Sequence, residues 1–413
     1  MAEIRPFRAY RPSPGLESKI AALPYDVYNR QEACEVVSKN PYSFLAIDRA
    51  ETQFGPEVDT YAPEVYEKAR QMLRSQINEG RFIQEKTDCY YLYEQTYEGR
   101  TQTGIVACAS IDDYTNHIIK KHENTREDKE QDRICHVDIC SMQTGPIFLA
   151  YRANEVLREL IGKSKMEKPV YDFVSEDGIG HRVWVIDKED TIQAIEAAFE
   201  RIPALYIADG HHRCASAVKV GLKRRKEHPG YTGAEEYNYF LAVIFPDEEL
   251  SIMDYNRVVK DLNGLTTEEF LQRISESFLV EKLGKEAYSP ACKGEFGMYL
   301  DGDWYRLTAK EEIRSEDAVD GLDVSILQNY LLAPVLGIQD PKTDKRIDFV
   351  GGIRGIKELE RRVHTDMELA FSMYPTSIAE LFAVADDSRL MPPKSTWFEP
   401  KLRSGLFLHE IEK

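Results

Sequence analysis

The residues best suited to chemistry in this sequence lie together between positions 204 and 217. The apolar run 204–208 is typical of a short buried strand, and it ends at Asp209 and Gly210. The next three residues are His211, His212 and Arg213. Small residues then predict a helix that begins at about Cys214. The pattern is a strand, a tight turn and a helix, with several donors and one acid at the turn.

A turn of this kind forms a binding site for an anion. The first N–H groups of a helix have no partner within it, and they point with the positive end of the helix dipole at one place. Gly210 would let the backbone approach a ligand or adopt a positive φ angle. Asp209 would hold a metal ion or cap the helix. The alternative is an ordinary Asp-Gly turn with surface histidines, but such dense polar groups after an apolar strand favour a ligand site.

Composition places the chain among globular proteins and limits its partners. Its 413 residues exceed a usual single core, so we expect two or three domains. Hydrophobic residues make up 42% and charged residues 30%, as in soluble proteins. The net charge of −18 disfavours nucleic acid as a partner, because an acidic chain repels the phosphate backbone.

Several features favour a cytoplasmic location. The sequence contains no run of about twenty apolar residues, so we expect no membrane span. The first residues lack the apolar segment of a secretory signal. The seven cysteines show no CxxC spacing, so we expect free cytosolic thiols. A homodimer is one option for the assembly.

Hydrophobic periodicity predicts an α+β fold with mixed sheets. Hairpins are expected over 89–111 and 170–186, and a helix is expected over 62–79. Further helices are expected over 116–133, 214–221, 267–278 and 324–336. Strands and helices alternate without the strict βαβ period of a doubly wound fold.

The acidic turn Pro246–Glu249 is the best candidate for a domain boundary. It divides the chain into a core domain over 1–246 and a C-terminal α+β domain over 247–413. In the C-terminal part, strands at 346–350 and 369–373 alternate with helices, which is typical of an α/β subdomain.

Two further segments have alternative interpretations. Lys120–Arg133 is dense in donors and carboxylates, and its charge pattern favours a solvated helix with i,i+4 ion pairs. The functional alternative makes Glu123 a base or a metal ligand. The tail 391–405 is either a packed loop or a loop whose Lys394 and Lys401 reach phosphates. No P-loop motif and no HExxH motif is present.

The chain resembles a family known as domain of unknown function 1015. The resemblance rests on four motifs in order along the chain: Pro24-Tyr25-Asp26-Val27, His122-Glu123-Asn124-Thr125, Ala208-Asp209-Gly210-His211-His212-Arg213 and Met391-Pro392-Pro393-Lys394-Ser395-Thr396. Because these motifs run nearly from end to end, the chain is identified as a member of that family. Membership by itself names no reaction.

The loop 209–213 also resembles that of free-serine kinases in the ParB/sulfiredoxin superfamily. This second resemblance covers far less of the chain, and it implies a ParB/sulfiredoxin-like nucleotide-binding core with insertions over 1–246. It further implies that Asp209 helps to hold Mg²⁺ and that His211, His212 and Arg213 meet the phosphates of ATP or ADP. A sulfiredoxin would need a cysteine where this chain has His211.

The serine-kinase resemblance also implies an acidic base near the N-terminus, which takes the proton of the acceptor hydroxyl. Asp26 and Glu32 are the candidates there, and Glu123 is the rival. We therefore expect an enzyme, a Mg²⁺-dependent kinase that uses ATP or ADP. Its acceptor would be a small hydroxyl compound, with free L-serine as the first candidate.

Two other functions stay open. One is a nucleotide-binding regulatory protein of the ParB type, in which nucleotide changes conformation or assembly. The other is a metal-dependent hydrolase with Asp209, His211 and His212 as ligands.

Overall fold

The computed structural model describes residues 1–412 and contains two compact units. The first unit comprises Met1–Leu250 and the C-terminal segment from Pro400, and the second comprises Ser251–Glu399. The division therefore falls just after the acidic turn. The segment from Pro400 differs from the predicted continuous C-terminal domain, because it returns to the first unit. There Leu408 bridges to Tyr10, and His409 pairs with Gln143.

The helices and strands are numbered along the chain. The strands are β1 Ile4–Arg5, β2 Tyr10–Pro12, β3 Phe82–Gln84, β4 Tyr90–Tyr97, β5 Arg100–Ser110, β6 Ile119–Lys120, β7 Met142–Gln143, β8 Ile147–Tyr151, β9 Tyr171–Val174, β10 Gly180–Ile186, β11 Leu205–Asp209, β12 Tyr239–Pro246, β13 Ile252–Met253, β14 Tyr255–Val259, β15 Phe278–Gly284, β16 Glu295–Leu300, β17 Asp303–Ala309, β18 Ile347–Gly351, β19 Leu369–Met373, β20 Trp397–Phe398 and β21 His409–Glu410. The helices are α1 Glu17–Ile20, α2 Arg30–Lys39, α3 Leu45–Asp48, α4 Pro63–Asn78, α5 Ile111–Thr115, α6 Glu127–Cys140, α7 Glu155–Ser164, α8 Glu189–Phe199, α9 His211–Glu227, α10 Thr267–Ile274, α11 Asp323–Leu327, α12 Lys357–Thr365 and α13 Ile378–Asp386. Among residues 1–412, no helix is both long and apolar enough to cross a bilayer.

A nine-stranded mixed sheet forms the centre of the first unit. Its order is β6-β11-β8-β12-β5-β4-β10-β9, and β1 pairs with β5. The strand β12 is buried along its whole length; it pairs antiparallel with β5 and parallel with β8. The strand β11 pairs antiparallel with β8 and parallel with β6. This arrangement confirms the predicted α+β fold with mixed sheets.

One apolar core holds this sheet against the helices that follow its strands. Buried side chains from β5, β11 and β12 meet others from α8 and α9 in a single cluster, which includes Ile105, Ile207, Ile244, Phe199 and Val218. The carboxyl end of β11 is anchored in this way, because burial of apolar surface stabilises the strand and the helix after it together. The predicted hairpins are present as β4–β5 and β9–β10, and the helix expected over 62–79 is α4.

Two helix predictions for the segments next to β11 were wrong in their bounds. The segment 116–133 contains the short strand β6 and a loop before α6 begins at Glu127. The backbone there pairs with β11, and this tertiary pairing overrides the helical charge pattern. The helix expected over 214–221 is α9, which runs from His211 to Glu227. Gly221 lies inside this helix and does not end it. Glycine is needed at this position because a side chain would lie 2.4 Å from the Tyr237 carbonyl oxygen.

The second unit contains a six-stranded sheet in the order β15-β17-β16-β19-β14-β18. Every pairing in this sheet is antiparallel, so the unit is α+β in its own right. The helix expected over 267–278 ends at Ile274, and β15 follows it. The helix expected over 324–336 is divided into α11 and a π-helical turn over Gln328–Leu332.

Asp323 is a buried carboxyl group in the second unit. The N–H of Gly294 donates to its two oxygens at 2.9 and 3.1 Å. Burial outweighs these bonds and raises the pKa of Asp323 from its ordinary 3.8 to about 7. The folded protein therefore keeps a proton that the unfolded chain releases between these pH values, so stability falls as the pH rises through that window.

The variant Asp323→Asn is expected to be more stable than the wild type at pH 8, by on the order of 3 kcal/mol, and about equally stable at pH 4. The uncharged amide keeps an acceptor for Gly294 and removes the cost of burying a charge. Urea denaturation at the two pH values measures the difference. The exposed control Asp387→Asn should show no gain at pH 8. A gain of equal size at both pH values would contradict the assignment.

Candidate functional site

The turn between β11 and α9 has the geometry that the sequence predicts. The strand ends at Asp209, Gly210 adopts φ 89° and ψ 32°, and the helix begins at His211. A side chain at Gly210 would lie 3.1 Å from the Nε and Nη2 atoms of Arg213, so the guanidinium lies against the turn. No side chain of the described residues caps this helix. Its first N–H groups are therefore available to an anion.

Asp209 lies between two cations at this turn. The Lys401 ammonium donates to its Oδ2 at 3.3 Å, and the Arg213 Nη2 lies 3.8 Å from the same oxygen. Burial alone would raise the pKa of Asp209, but Lys401 and then Arg213 outweigh it and hold the pKa at about 2. The carboxylate is ionised at neutral pH, and its side chain is 34% exposed. One carboxylate with two cations leaves a net positive charge beside the helix N-terminus, which suits a phosphate.

The variant Lys401→Met is expected to raise the pKa of Asp209 from about 2 toward its ordinary value of 3.8 or above, because Lys401 is its strongest cationic partner. The change is measured by NMR titration of ¹³C-labelled aspartate, with Asp209→Asn used to assign the signal. The exposed Lys168→Met is the matched control and should leave the titration unchanged. An Asp209 signal that titrates as in the wild type would contradict the ion pair.

His211 is buried and has an unused ring nitrogen. Its Nε2 atom accepts or donates no hydrogen bond among the described residues. Its ring meets that of His122 edge to face, with centroids 4.5 Å apart. Burial lowers the pKa of both histidines, that of His122 to about 4, so both are neutral at physiological pH. A buried nitrogen without a partner costs free energy.

His212 holds the preceding loop against α9. Its Nε2 atom accepts the N–H of Arg126 at 2.9 Å, which requires that this nitrogen carry no proton. Ser216, one turn later, donates to the carbonyl oxygen of Glu130 in α6. These bonds connect the 121–126 loop and the start of α6 to the helix that begins at the turn. The Nε2 of His212 is thus occupied by the protein itself.

The N-terminal acids predicted as candidate bases have different positions. Asp26 is exposed and lines a cleft of about 210 Å³ in the first unit. The Glu32 carboxylate accepts the N–H of Asn29, and the Glu32 N–H donates to the Asn29 side chain. These two bonds form the N-terminal capping box of α2. Glu123 lies in the loop that His212 holds. Lys394 belongs to the second unit, where its ammonium lies 5.7 Å from the ring centre of Tyr255.

Sequence reasoning missed several charged residues of the same cleft, which we call the Arg133 cleft. Its walls include Tyr25, Asp26, Asp48, Glu51, Asp132 and Arg133. Asp132 and Arg133 are buried, although their segment was interpreted as a solvated helix. A signal was present at Asp48 and Glu51, because three charged residues, Asp48, Arg49 and Glu51, come directly after the apolar run from Phe44 to Ile47.

A second, smaller cavity lies beside this cleft. Its lining includes Arg213, and it shares Tyr25, Asp48, Arg133 and His136 with the Arg133 cleft. Gly145 lies beside it, where a side chain would be 3.0 Å from the Ser404 hydroxyl and 3.5 Å from the Nη1 of Arg213. Arg213 thus lies against the turn and also lines the smaller cavity.

The ligand set of a metal-dependent hydrolase is not assembled. Among residues 1–412, no group of three or more histidine, cysteine, aspartate or glutamate side chains is arranged to hold a metal ion. His212 turns its Nε2 to Arg126, and the ring of His211 packs on His122. Asp209 alone remains a candidate ligand, which fits Mg²⁺ only if phosphate oxygens and water supply the other positions.

Comparison with solved structures finds distant likenesses. A free serine kinase mutant in complex with AMP is 15% identical, covering 71% of this chain and 87% of that one, with a TM-score of 0.37. A conserved hypothetical protein from Pyrococcus furiosus is 15% identical, covering 72% and 92%, with a TM-score of 0.35. SbnI from Staphylococcus aureus, truncated at its C-terminus, is 10% identical, covering 72% and 84%, with a TM-score of 0.36.

Comparison of sequences confirms the predicted family. No curated protein matches the chain. Residues 4–325 match the family described as protein of unknown function DUF1015, and this match covers most of the chain and three of the four motifs that predicted it. The chain therefore belongs to the DUF1015 family.

Proposed function

We propose that this protein binds a nucleotide at the turn between β11 and α9 and transfers a phosphoryl group to a small hydroxyl compound. One observation carries the proposal. An ionised Asp209 lies between Lys401 and Arg213, directly before the free N-terminus of a long helix. A cationic turn with backbone donors and one carboxylate suits phosphates together with a divalent cation.

Phosphoryl transfer relies on positioning and on neutralisation of charge more than on covalent catalysis. In the proposed reaction the acceptor oxygen forms a bond to the terminal phosphorus of ATP or ADP. The bond between that phosphorus and the bridging oxygen breaks, and the nucleotide leaves with one phosphate fewer. Arg213, Lys401 and the first N–H groups of α9 offset the charge on the transferred group. The unused Nε2 of His211 supplies a further polar contact.

The proposal includes Mg²⁺, with Asp209 as its protein ligand beside the phosphate oxygens. When bound, this ion neutralises charge on the phosphates. The hydroxyl proton passes to a carboxylate, and Asp26 is the candidate base because it lines the cleft beside the cavity that Arg213 lines. L-serine is the first acceptor to test, on the resemblance of the 209–213 loop. A cytosolic location also fits, since all seven cysteines are free thiols.

An isotopic phosphate-transfer screen tests this function. Terminally labelled ATP and ADP are incubated with L-serine and other small hydroxyl compounds, with and without Mg²⁺, and thermal shift is measured in parallel. The expected result is a labelled phosphate ester that requires Mg²⁺. Nucleotide binding without transfer to any acceptor would favour a regulatory nucleotide-binding protein. Absence of nucleotide binding would overturn the proposal.

A further inference from the structure

The Arg133 cleft contains one ion pair whose carboxylate oxygens are both bonded within the protein. The Arg133 Nε and Nη2 atoms lie 2.9 and 2.8 Å from the Oδ2 of Asp132, and the Tyr66 hydroxyl donates to its Oδ1 at 3.0 Å. The ring of Tyr25 covers the guanidinium at 3.9 Å. Both oxygens of Asp132 therefore have partners, and this pair forms a fixed wall of the cleft.

Two other buried acids in the cleft are only half satisfied. The Thr144 hydroxyl donates to the Oδ1 of Asp48 at 2.8 Å, and the Arg49 Nε donates to the Oε1 of Glu51 at 2.5 Å. None of the described residues donates to the Oδ2 of Asp48 or to the Oε2 of Glu51. Asp48 is 4% exposed and Glu51 is 2% exposed. Both residues line the cleft, so these two oxygens are available to a donor that binds in it.

His136 does not supply that donor. Its Nε2 lies 3.8 Å from the Oδ1 of Asp48, but it donates to the carbonyl oxygen of Ile47 at 3.3 Å. Burial lowers the pKa of His136, and the nearby Arg133 lowers it further, so the ring is neutral. Arg133 interacts with Asp48, but its Nε and Nη2 are committed to Asp132.

We propose that the Arg133 cleft is the acceptor site and that it selects a hydroxyl compound with a primary ammonium group. This inference rests on the proposed phosphotransferase function. An ammonium carries three donors and one positive charge, which matches the open oxygens of Asp48 and Glu51. A carboxylate on the same molecule would meet the Nη1 of Arg133, which donates to none of the described residues. Amino acids with a hydroxyl side chain satisfy both requirements.

The position of the cleft fits this assignment. Asp48 and Arg133 line both the cleft and the smaller cavity that Arg213 enters. An ammonium held by Asp48 places the rest of a small acceptor next to the guanidinium that the proposed function assigns to phosphate. Asp26, the candidate base for the acceptor hydroxyl, lines the same cleft.

Four acceptors distinguish the groups that the cleft recognises. L-serine has all three groups, ethanolamine lacks the carboxylate, L-glycerate has a hydroxyl in place of the ammonium, and glycerol lacks both charges. Binding to the wild type is measured by calorimetry in the presence of nucleotide and Mg²⁺, and transfer is measured with the labelled nucleotide. We expect L-serine to bind about 10-fold to 100-fold more tightly than L-glycerate. Equal affinity for the two compounds would overturn the inference, and this comparison requires no variant to fold.

The variants Asp48→Asn and Glu51→Gln test the same contact from the side of the protein. Each should raise the KM for L-serine by about 10-fold or more and change the KM for nucleotide by less than about 2-fold. Each should also reduce the preference for L-serine over L-glycerate. The control Asp128→Asn removes an exposed acid that forms an ion pair with Arg126 and should change neither value. Unchanged preference in folded variants would overturn the inference.

Failure of this inference and failure of the proposed function give different results. Efficient transfer to glycerol or L-glycerate, unaffected by the two variants, would keep the phosphotransferase and refute the ammonium site. Binding of L-serine that is lost in Asp48→Asn, without transfer from any nucleotide, would keep the site and refute the phosphotransferase.

Discussion

Replacing Asp209 by asparagine is expected to lower the rate of phosphoryl transfer by about 100-fold to 1000-fold, the range typical when one preorganised electrostatic contact to the transition state is removed. The amide keeps the shape of the carboxylate but loses its charge, so it no longer orders Lys401 and Arg213 or holds Mg²⁺. Single-turnover transfer assays with labelled ATP or ADP measure the change, and circular dichroism checks that the variant is folded.

The pH dependence of this effect follows from the low pKa of Asp209, about 2. The carboxylate stays ionised throughout the range of an ordinary assay, so the loss should be uniform between about pH 5 and pH 9. Its folded pKa lies below the ordinary 3.8, so its contribution to stability is present above that value and is lost as the pH falls toward 2. Asp128→Asn is the control and should retain wild-type transfer. A fully active Asp209→Asn variant would refute the proposed phosphate site.

Replacing Gly210 by alanine is expected to damage both stability and nucleotide binding. Gly210 has φ 89°, and forcing a residue with a side chain into this region costs about 1–2 kcal/mol. The new methyl group would also lie 3.1 Å from the Arg213 Nε and Nη2 atoms, so the guanidinium must move. We expect the affinity for nucleotide to fall by about 10-fold or more, because the guanidinium that is proposed to bind phosphate is displaced.

Gly99→Ala is the matched control for this variant. Gly99 has φ 78° in the turn between β4 and β5, and a side chain there would meet no atom within 4 Å. It therefore carries the same backbone strain without the contact to Arg213. Urea denaturation and nucleotide titration of both variants separate the two effects. If Gly99→Ala weakens nucleotide binding as much as Gly210→Ala does, the loss reflects general instability and not the position of Arg213.

The difference between local and distant contacts explains which predicted elements the structure confirmed. The turn at Asp209 and the hairpins depend on residues close together in the chain, so apolar runs and glycine positions were sufficient to place them. The segment 116–133 has a helical charge pattern, but Ile119 and Lys120 pair with Leu205 and Tyr206 of β11. That pairing spans more than eighty residues, and local propensity carries no information about it.

The candidate site shows the same division. Asp209, His211 and Arg213 were predicted from one short motif, and Lys401 was named only as one of two basic residues in a tail with two interpretations. The structure places Lys401 against Asp209 across 192 residues of chain, because the segment from Pro400 returns to the first unit. Asp48 and Glu51 gave only a weak signal, since a charge within an apolar stretch does not tell which cavity it faces.

The sequence by itself determined the family, the α+β class and the turn at which an anion would bind. Only the tertiary structure decided which charges surround that turn and which acids keep one oxygen open to the cleft. The physical reason is that a strand, a glycine turn and a helix N-terminus arise from neighbouring residues. The electrostatics of Asp209, Asp48 and Glu51 depend instead on burial and on partners distant in the chain. The motif therefore located the proposed phosphate site, and the buried oxygens of Asp48 and Glu51 suggested what accepts the phosphate.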